Sequence, residues 1–384
     1  MKTVGKILSY ILVAVAASCV TLVLYTFYGP GSVKLQQLEA LILDKYIGEA
    51  EAQTVEDAAA DAMVKAIGDR WSYYMTAEEY ASHQEQMANA YVGIGVTISV
   101  REDGKGFDIM KVAANSPAQE AGILPGDIIV EVEGQKIWQI GSDAAREKLR
   151  GAEGTQAKLT VLRGEEFLEM TVTRKHIENP VATAVMLEDG IGLITIENFD
   201  SRCAQETIAA IKSLQEQGAK TLIFDVRNNP GGYVNELVRV LDHLLPACDV
   251  FRSEDYLGRT EVKRSDAACL EMPMAVLVNG NSYSAAEFFA AALWEYEVAV
   301  VVGEPTTGKG YFQQTYRLLD GSAVNLSVGK YYTPKGVSLA EAGGLKPDVV
   351  KELTDADAAR LYAGTLPPEE DIQVQAAVNA LKSR

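Results

Sequence analysis

"MAVLVNGNSYSAAEFFAAALWEYEVAVVVGE", residues 274–304, is the stretch on which the fold turns. Met274 to Val278 has the length and the unbroken apolar character of a strand buried on both faces. Asn279 to Tyr283 reads as a polar turn, and from about Ala285 small and aromatic residues continue as a helix. "AVVVGE" then returns as a second buried strand. The alternation extends outward through the strands "GLITIENF" (192–199) and "TLIFDVR" (221–227) and the helices "QETIAAIKSLQEQG" (205–218) and "VNELVRVLDHLL" (234–245). Near-continuous apolar strands alternating with helices predict an α/β core with a mainly parallel sheet flanked by helices.

Around this core, taken as residues 176–355, the chain changes texture. Residues 91–175 hold short β-type runs such as "DIIVEVEG" and "KLTVLRG" punctuated by Gly and Asp, a small β-rich domain. Residues 31–90 carry apolar positions at three- and four-residue spacing, an N-terminal helical segment, and residues 356–384 form a C-terminal helical segment. With 48% apolar and 23% charged residues, the 384-residue chain is globular material of several units. Ile7 to Tyr28 is uncharged and, as a helix, reaches roughly 33 Å, enough to cross a bilayer. Residues 1–30 are therefore expected to be a cytoplasmic stub and membrane anchor. A cleaved signal peptide is the rival, with "AAS" before Cys19 resembling a processing site. Lys2 and Lys6 ahead of the run place the N-terminus in the cytoplasm and the bulk of the chain outside, as a single-pass protein of the cell membrane.

The net charge of −18 argues against a polyanion partner, so no nucleic acid is expected. Four cysteines without a C-x-x-C or a His-rich cluster suggest no metal, and Cys248 and Cys269 are open to being either free thiols or a bridge.

In α/β sheets, sites form where strands run into helices. Ser284 has that place, with the helix dipole behind it, although Ser282 or Ser284 would also serve as a helix cap. A serine nucleophile needs a base. Of the three histidines, His83 and His176 lie away from such turns, and His243 sits on the helix after "NNPGG". Lys309, flanked by Gly308 and Gly310 in "VVGEPTTGKGYFQQ", is the other candidate: desolvation favours its neutral amine, which can accept a proton. Gln313, four residues on, is placed to orient that amine. In "FDVRNNPGGYV" the glycines allow backbone N–H groups to approach a ligand, so Gly231 or Gly232 would join Ala285 in an oxyanion hole.

Together these pieces resemble the carboxy-terminal processing, or tail-specific, serine proteases, which carry a Ser/Lys dyad. Ser282-Tyr283-Ser284-Ala285-Ala286-Glu287 resembles the family's S-A-S-A-S-E box, whose second serine is the nucleophile; this implies Ser284 rather than Ser282. Lys309 and Gln313 match the family's G-K-G turn with glutamine four residues later, and Asn228 to Gly232 its N-N-P-G-G turn. "YYTPKGVSLAEAGGLKPDVV" (331–350) is similar to the segment that closes its protease domain. Tyr283 and Ala286 depart from the family pattern and bear on pocket shape. "NSPAQEAGILPGDIIVEVEG" (115–134) resembles the core of PDZ domains and "YVGIGV" (91–96) their carboxylate-binding loop, which implies Gly93, Ile94 and Gly95 as the clamp for a peptide carboxylate.

The resemblance implies a membrane-anchored endopeptidase that recognises exposed, apolar protein C-termini, with no cofactor or metal. It also implies self-association through the helices of 33–90. Two rivals stand beside it: a catalytically silent PDZ scaffold binding C-terminal tails, and a Ser/His hydrolase using His243.

Overall fold

The computed structural model describes residues 11–21, 30–113 and 115–383. The chain falls into two compact units, one made of residues up to Glu78 with Gln314–Ser327, the other of Glu79–Gln313 with Val328 onward.

In the first unit, helices Pro30–Lys45 and Ala52–Lys65 are followed by the strand Tyr73–Met75, which pairs antiparallel with Ala323–Asn325. The Tyr74 hydroxyl donates to Asp57 Oδ1 at 2.5 Å, tying strand to helix. Leu38, Leu41 and Ile47 are exposed. Half of the apolar run Ile7–Tyr28 lies outside the described residues; its described part, Ile11–Thr21, is helical. No helix among the described residues is long and apolar enough to cross a membrane.

The second unit contains the α/β core. Its sheet has the order Ala182–Met186, Ile191–Ile196, Thr221–Asp225, Met274–Val278, Ala299–Gly303, Val349–Val350. Neighbours from Ile191 onward are parallel, but Ala182–Met186 runs antiparallel to Ile191–Ile196. The sheet is thus mixed rather than uniformly parallel. The edge strand runs antiparallel and is exposed except at its two half-buried end residues, so it does not belong to the buried, parallel pattern of the other strands.

Side chains alternate across the sheet. Ile194, Phe224, Val276 and Val278 face helices Cys203–Glu216, Val234–Leu244 and Ala285–Glu295, while Leu193, Ile223, Ala275 and Leu277 face helix Ile372–Lys382. Helix Ala285–Glu295 is apolar all round and accordingly buried along nearly its whole length. A hairpin absent from the sequence reading, Asp249–Asp255 with Thr260–Arg264, pairs antiparallel with Gly329–Tyr332.

The β-rich part of this unit is an antiparallel sheet in the order Val96–Val100, Phe107–Val112, Ile128–Val132, Gln156–Arg163, Glu166–Thr173, closed over Phe107, Ile129 and Val161. Val96–Val100 is an edge strand. Ala90–Gly93 and Lys175–Glu178 pair antiparallel as the stems by which the chain enters and leaves. Arg202, at φ 74°, reaches across both stems: its guanidinium donates to the carbonyls of Ala88 (2.9 Å), Asn89 (3.2 Å) and Asn179 (2.7 Å), and Glu206 holds its Nε at 2.9 Å.

Candidate active site

The two serines part company in the turn after Met274–Val278. Ser282 is fully buried, its hydroxyl donating to the Val226 carbonyl at 2.7 Å and accepting the Asn279 N–H at 3.0 Å. The first bond ties the turn to the end of the neighbouring strand and the second closes the turn on itself. Ser284 instead has φ 58° and ψ −125°, a backbone costly for a residue with a Cβ, of the kind that lifts a side chain off a strand-to-helix bend.

That strained residue is held by Glu287. The fully buried Glu287 carboxylate accepts the Ser284 N–H at 3.0 Å, and also the Thr306 hydroxyl (2.6 Å) and the N–H groups of Gly308 (2.6 Å) and Lys309 (2.9 Å). One carboxylate therefore ties the serine turn to the lysine turn. Burial pushes its pKa up while these four donors pull it down. The half-buried Lys309 places Nζ 5.8 Å from the centre of the Tyr283 ring, beside Ser284. Gly308 has φ 79°, and a Cβ there would stand 2.9 Å from the Gly344 N–H nitrogen, so only glycine lets the turn close. Gln313 donates from Nε2 to the Tyr311 carbonyl at 3.1 Å.

The Asn-Asn-Pro-Gly-Gly turn is pinned to the serine turn. Asn228 and Asn279 exchange two hydrogen bonds (2.9 and 3.0 Å), and Tyr283 N–H donates to the Asn229 carbonyl at 3.2 Å. Gly231 packs so closely that a Cβ would lie 2.7 Å from Ser284 Cβ and 2.8 Å from Ala285 N. Its own amide is committed, donating to Asn229 Oδ1 at 2.8 Å, while its carbonyl accepts from Phe199 N–H at 2.7 Å. The expectation that Gly231 N–H is an oxyanion donor is corrected on this point, and Gly232 remains. Ala285 opens its helix, where the first amides have no intrahelical acceptor.

Four contributors were missed by sequence reasoning. Glu287 stood in the quoted box without a role. Phe199 and Asp200 follow strand Ile191–Ile196, bridge to Gly232, and place Asp200 Oδ1 2.5 Å from where a Gly232 Cβ would be. That oxygen is buried without a partner among the described residues, and burial pushes the Asp200 pKa up to about 7. Arg227, buried, is bonded to Asp225 (2.5 Å), Asp371 (2.8 Å) and Gln373 (2.8 Å), bracing the strand end that leads into the Gly231 turn. Nothing local in the sequence signals partners 146 residues apart.

His243 lies on helix Val234–Leu244, its Nε2 buried without a partner among the described residues and its pKa lowered by burial and Lys212. Cys248 and Cys269 are free thiols, Cys248 Sγ lying 3.4 Å from Ser265 Oγ. In the β-rich part, the carbonyls of Ile94 and Gly95 accept from Ala118 N–H (2.8 Å) and Ala113 N–H (2.9 Å), which holds the 93–95 turn beside the free edge of Val96–Val100.

Residues 190–351 match the model of peptidase family S41, and residues 109–163 that of the PDZ domain. Over residues 190–351 the chain is thus similar to the peptidases of family S41. It is 32% identical over 320 residues to a probable CtpA-like serine protease of Staphylococcus saprophyticus, the match covering 82% of this chain and 64% of that relative's length. A putative S41 protease from Bacteroides fragilis has a similar structure (TM-score 0.56, 17% identity, covering 90% of this chain and 97% of that one). A photosystem II D1 C-terminal processing protease aligns with TM-score 0.48 at 26% identity, over 85% of this chain and 88% of that one. The S41 match spans the strands, the Gly231 turn, Ser284 and Lys309, and the PDZ match covers the middle strands of the β-rich part.

Proposed function

We propose that this protein is a serine endopeptidase of the C-terminal processing type, with Ser284 and Lys309 as a dyad and the PDZ domain as the reader of substrate tails. The carrying observation is the Glu287 carboxylate, which binds the backbone of Ser284 and of Lys309 at once and so fixes their separation. A substrate tail adds to the Val96–Val100 edge as a further strand, its carboxylate on the amides of Gly93, Ile94 and Gly95. Ser284 Oγ attacks a peptide carbonyl as its proton passes to neutral Lys309 Nζ, and the oxyanion rests on the Ala285 and Gly232 amides. Collapse breaks the C–N bond as Lys309 returns the proton to the leaving amine. Water then attacks the acyl carbonyl as its proton passes to the same amine, and that proton goes to Ser284 Oγ as the acyl C–O bond breaks and the acid leaves. Gln313 keeps the lysine directed.

The uncharged run Ile7–Tyr28 supports a single-pass anchor with the catalytic part outside the cytoplasm. The exposed leucines of Pro30–Lys45 support self-association. The test is cleavage of an unfolded reporter with an apolar C-terminus by the full chain and by its Ser284→Ala and Lys309→Ala variants. Cutting by the unmodified protein alone is expected. No cutting by any form, with tail binding retained, would leave a PDZ scaffold.

A further inference from the structure

Tyr283 stands between the two serines of the turn, and the dyad chemistry gives it no part. Its backbone is fixed from two sides: the N–H donates to the Asn229 carbonyl at 3.2 Å, and the carbonyl accepts the Ala286 N–H at 3.3 Å. Its half-buried ring has Lys309 Nζ over it, 5.8 Å from the ring centre. The Lys309 backbone is fixed as well. Its N–H donates to Glu287 Oε2 at 2.9 Å, and Gly310 packs so tightly on helix Leu339–Ala342 that a Cβ there would stand 2.5 Å from Ala340 Cβ. Two anchored backbones thus bring an aromatic face and an amine within the range at which a ring attracts a cation, roughly 6 Å. With glycine on either side, Lys309 has no adjacent side chain on which to lean its flexible stem, so contacts from outside the turn direct it, and this ring is one of them.

We propose that Tyr283 is a positioning residue for Lys309: the face of its ring holds the amine and stabilises the ammonium that forms as Ser284 gives up its proton. The inference rests on the peptidase reading above, and it belongs to this chain, because Tyr283 is one of the two departures from the family's serine box. The quadrupole of a ring attracts a charged amine far more than a neutral one, so the effect follows the proton. Burial pushes the Tyr283 phenol pKa up, which keeps the ring neutral and leaves its face, not a phenolate, as the attracting group. Two consequences of opposite sign result. Stabilising the resting ammonium raises the pH at which Lys309 becomes neutral, while stabilising the ammonium of the transition state speeds the step once that pH is passed. Titratable groups on the elements packed against the Lys309 turn include Glu287 on the serine helix, Lys330 and Tyr331 on strand Ala323–Tyr332, and exposed Glu341 on helix Leu339–Ala342; the Tyr331 N–H donates to the Gly310 carbonyl at 2.9 Å. All of them are unaltered in the variants below, so a difference between variants belongs to the ring.

The test is the pH profile of Ser284 labelling by a fluorophosphonate probe, in the full chain, for the unmodified protein, Tyr283→Leu, Tyr283→Phe and Tyr283→trifluorophenylalanine. The last keeps the shape of the ring and withdraws charge from its face, so it remains informative if Tyr283→Leu folds poorly. The acid limb of Tyr283→Leu is expected about half a pH unit lower, with a high-pH plateau about threefold slower, the scale of one cation–π contact. The profiles of Tyr283→Leu and the unmodified protein should then converge at low pH. Tyr283→Phe should keep the limb of the unmodified protein, and the trifluorinated ring should move it as leucine does. A limb that stays in place in either Tyr283→Leu or the trifluorinated variant would overturn the proposal, as would an equal loss at every pH, which is what disturbed packing alone produces. Tyr283→Phe behaving as Tyr283→Leu would also overturn it, because the hydroxyl and not the ring would then carry the effect. Failure of the probe to label the unmodified protein, or equal labelling of Ser284→Ala, would overturn the peptidase reading itself, a different result from an unmoved limb in a protein that labels.

Discussion

At Glu287 a single side chain carries four hydrogen bonds from two turns that the proposed chemistry needs together. Glu287→Gln replaces one acceptor oxygen with an NH2 that faces N–H donors, so buried amides lose their partner at about 1–3 kcal/mol each. The expected result is a loss of at least a hundredfold in peptide cleavage with a lower Tm, and near-normal cleavage would refute the strapping role. Asp200 allows a pH prediction. Its pKa rises from the ordinary 3.8 to about 7 on burial, so between those values the folded state holds a proton that the unfolded chain has lost. Its contribution to stability therefore falls as pH rises from about 4 to 7 and is level above. Asp200→Asn does not titrate: its Tm advantage over the unmodified protein should grow across that window and then stay constant, which thermal melts at a series of pH values would measure. Groups facing Asp200, namely Tyr233 and Cys203, titrate well above this range, their pKa values also pushed up by burial. Ser284 and Lys309 were singled out as candidates from their turns and from the family motif. The Glu287 strap and the orphan Asp200 oxygen were not, because hydrogen-bond partners in a folded turn leave no trace in residue spacing.

Among elements, the best-read were those whose apolar pattern is continuous. The strands Thr221–Asp225, Met274–Val278 and Ala299–Gly303 are buried almost throughout, so each appears in the sequence as an unbroken run. Strands with half-exposed, polar faces escaped notice: Asp249–Asp255 carries Arg252, Ser253, Glu254 and Asp255, and is a strand because Ser253 pairs with Tyr331, far along the chain. Helix Ile372–Lys382 was expected only as a terminal helical segment. In the structure Asp371 caps it, accepting Gln373 N–H at 2.9 Å and Val374 N–H at 3.2 Å, and its Val374, Ala377 and Leu381 cover one face of the core sheet. Ending the chain after Glu370 strips that face and takes one carboxylate from buried Arg227. Losing the burial of Val374 and Leu381 alone removes about 3–6 kcal/mol, comparable to the whole stability of many domains. We expect the shortened protein to be largely insoluble, and a soluble, cooperative unfolding transition in it would contradict this role for the helix.

For the molecule as a whole, the proposed tail recognition has to bear on a cleavage proposed at Ser284, outside the PDZ domain. Within the larger unit, Arg202 is bonded to both stems of the PDZ domain, and Asn89 and Asn198 add a reciprocal pair at 3.0 and 2.7 Å. The same loop, through Phe199 and Asp200, is bonded to Gly231 and Tyr233 and packs on Gly232. A physical chain of contacts therefore runs from the PDZ stems to the amide proposed to hold the oxyanion. Coupling through such a chain requires that loosening one end change the other, which contiguity alone does not establish. Arg202→Ala separates the possibilities, since it removes three hydrogen bonds from the stems and touches neither the Val96–Val100 edge nor Ser284. If the loop couples the two, tail affinity should stay within about twofold while kcat for a tail-bearing substrate falls at least tenfold, a difference of about 1.4 kcal/mol in barrier. Equal loss of tail affinity and kcat would reduce the latch to a structural brace, and unchanged kcat would show that the oxyanion turn holds its shape without it.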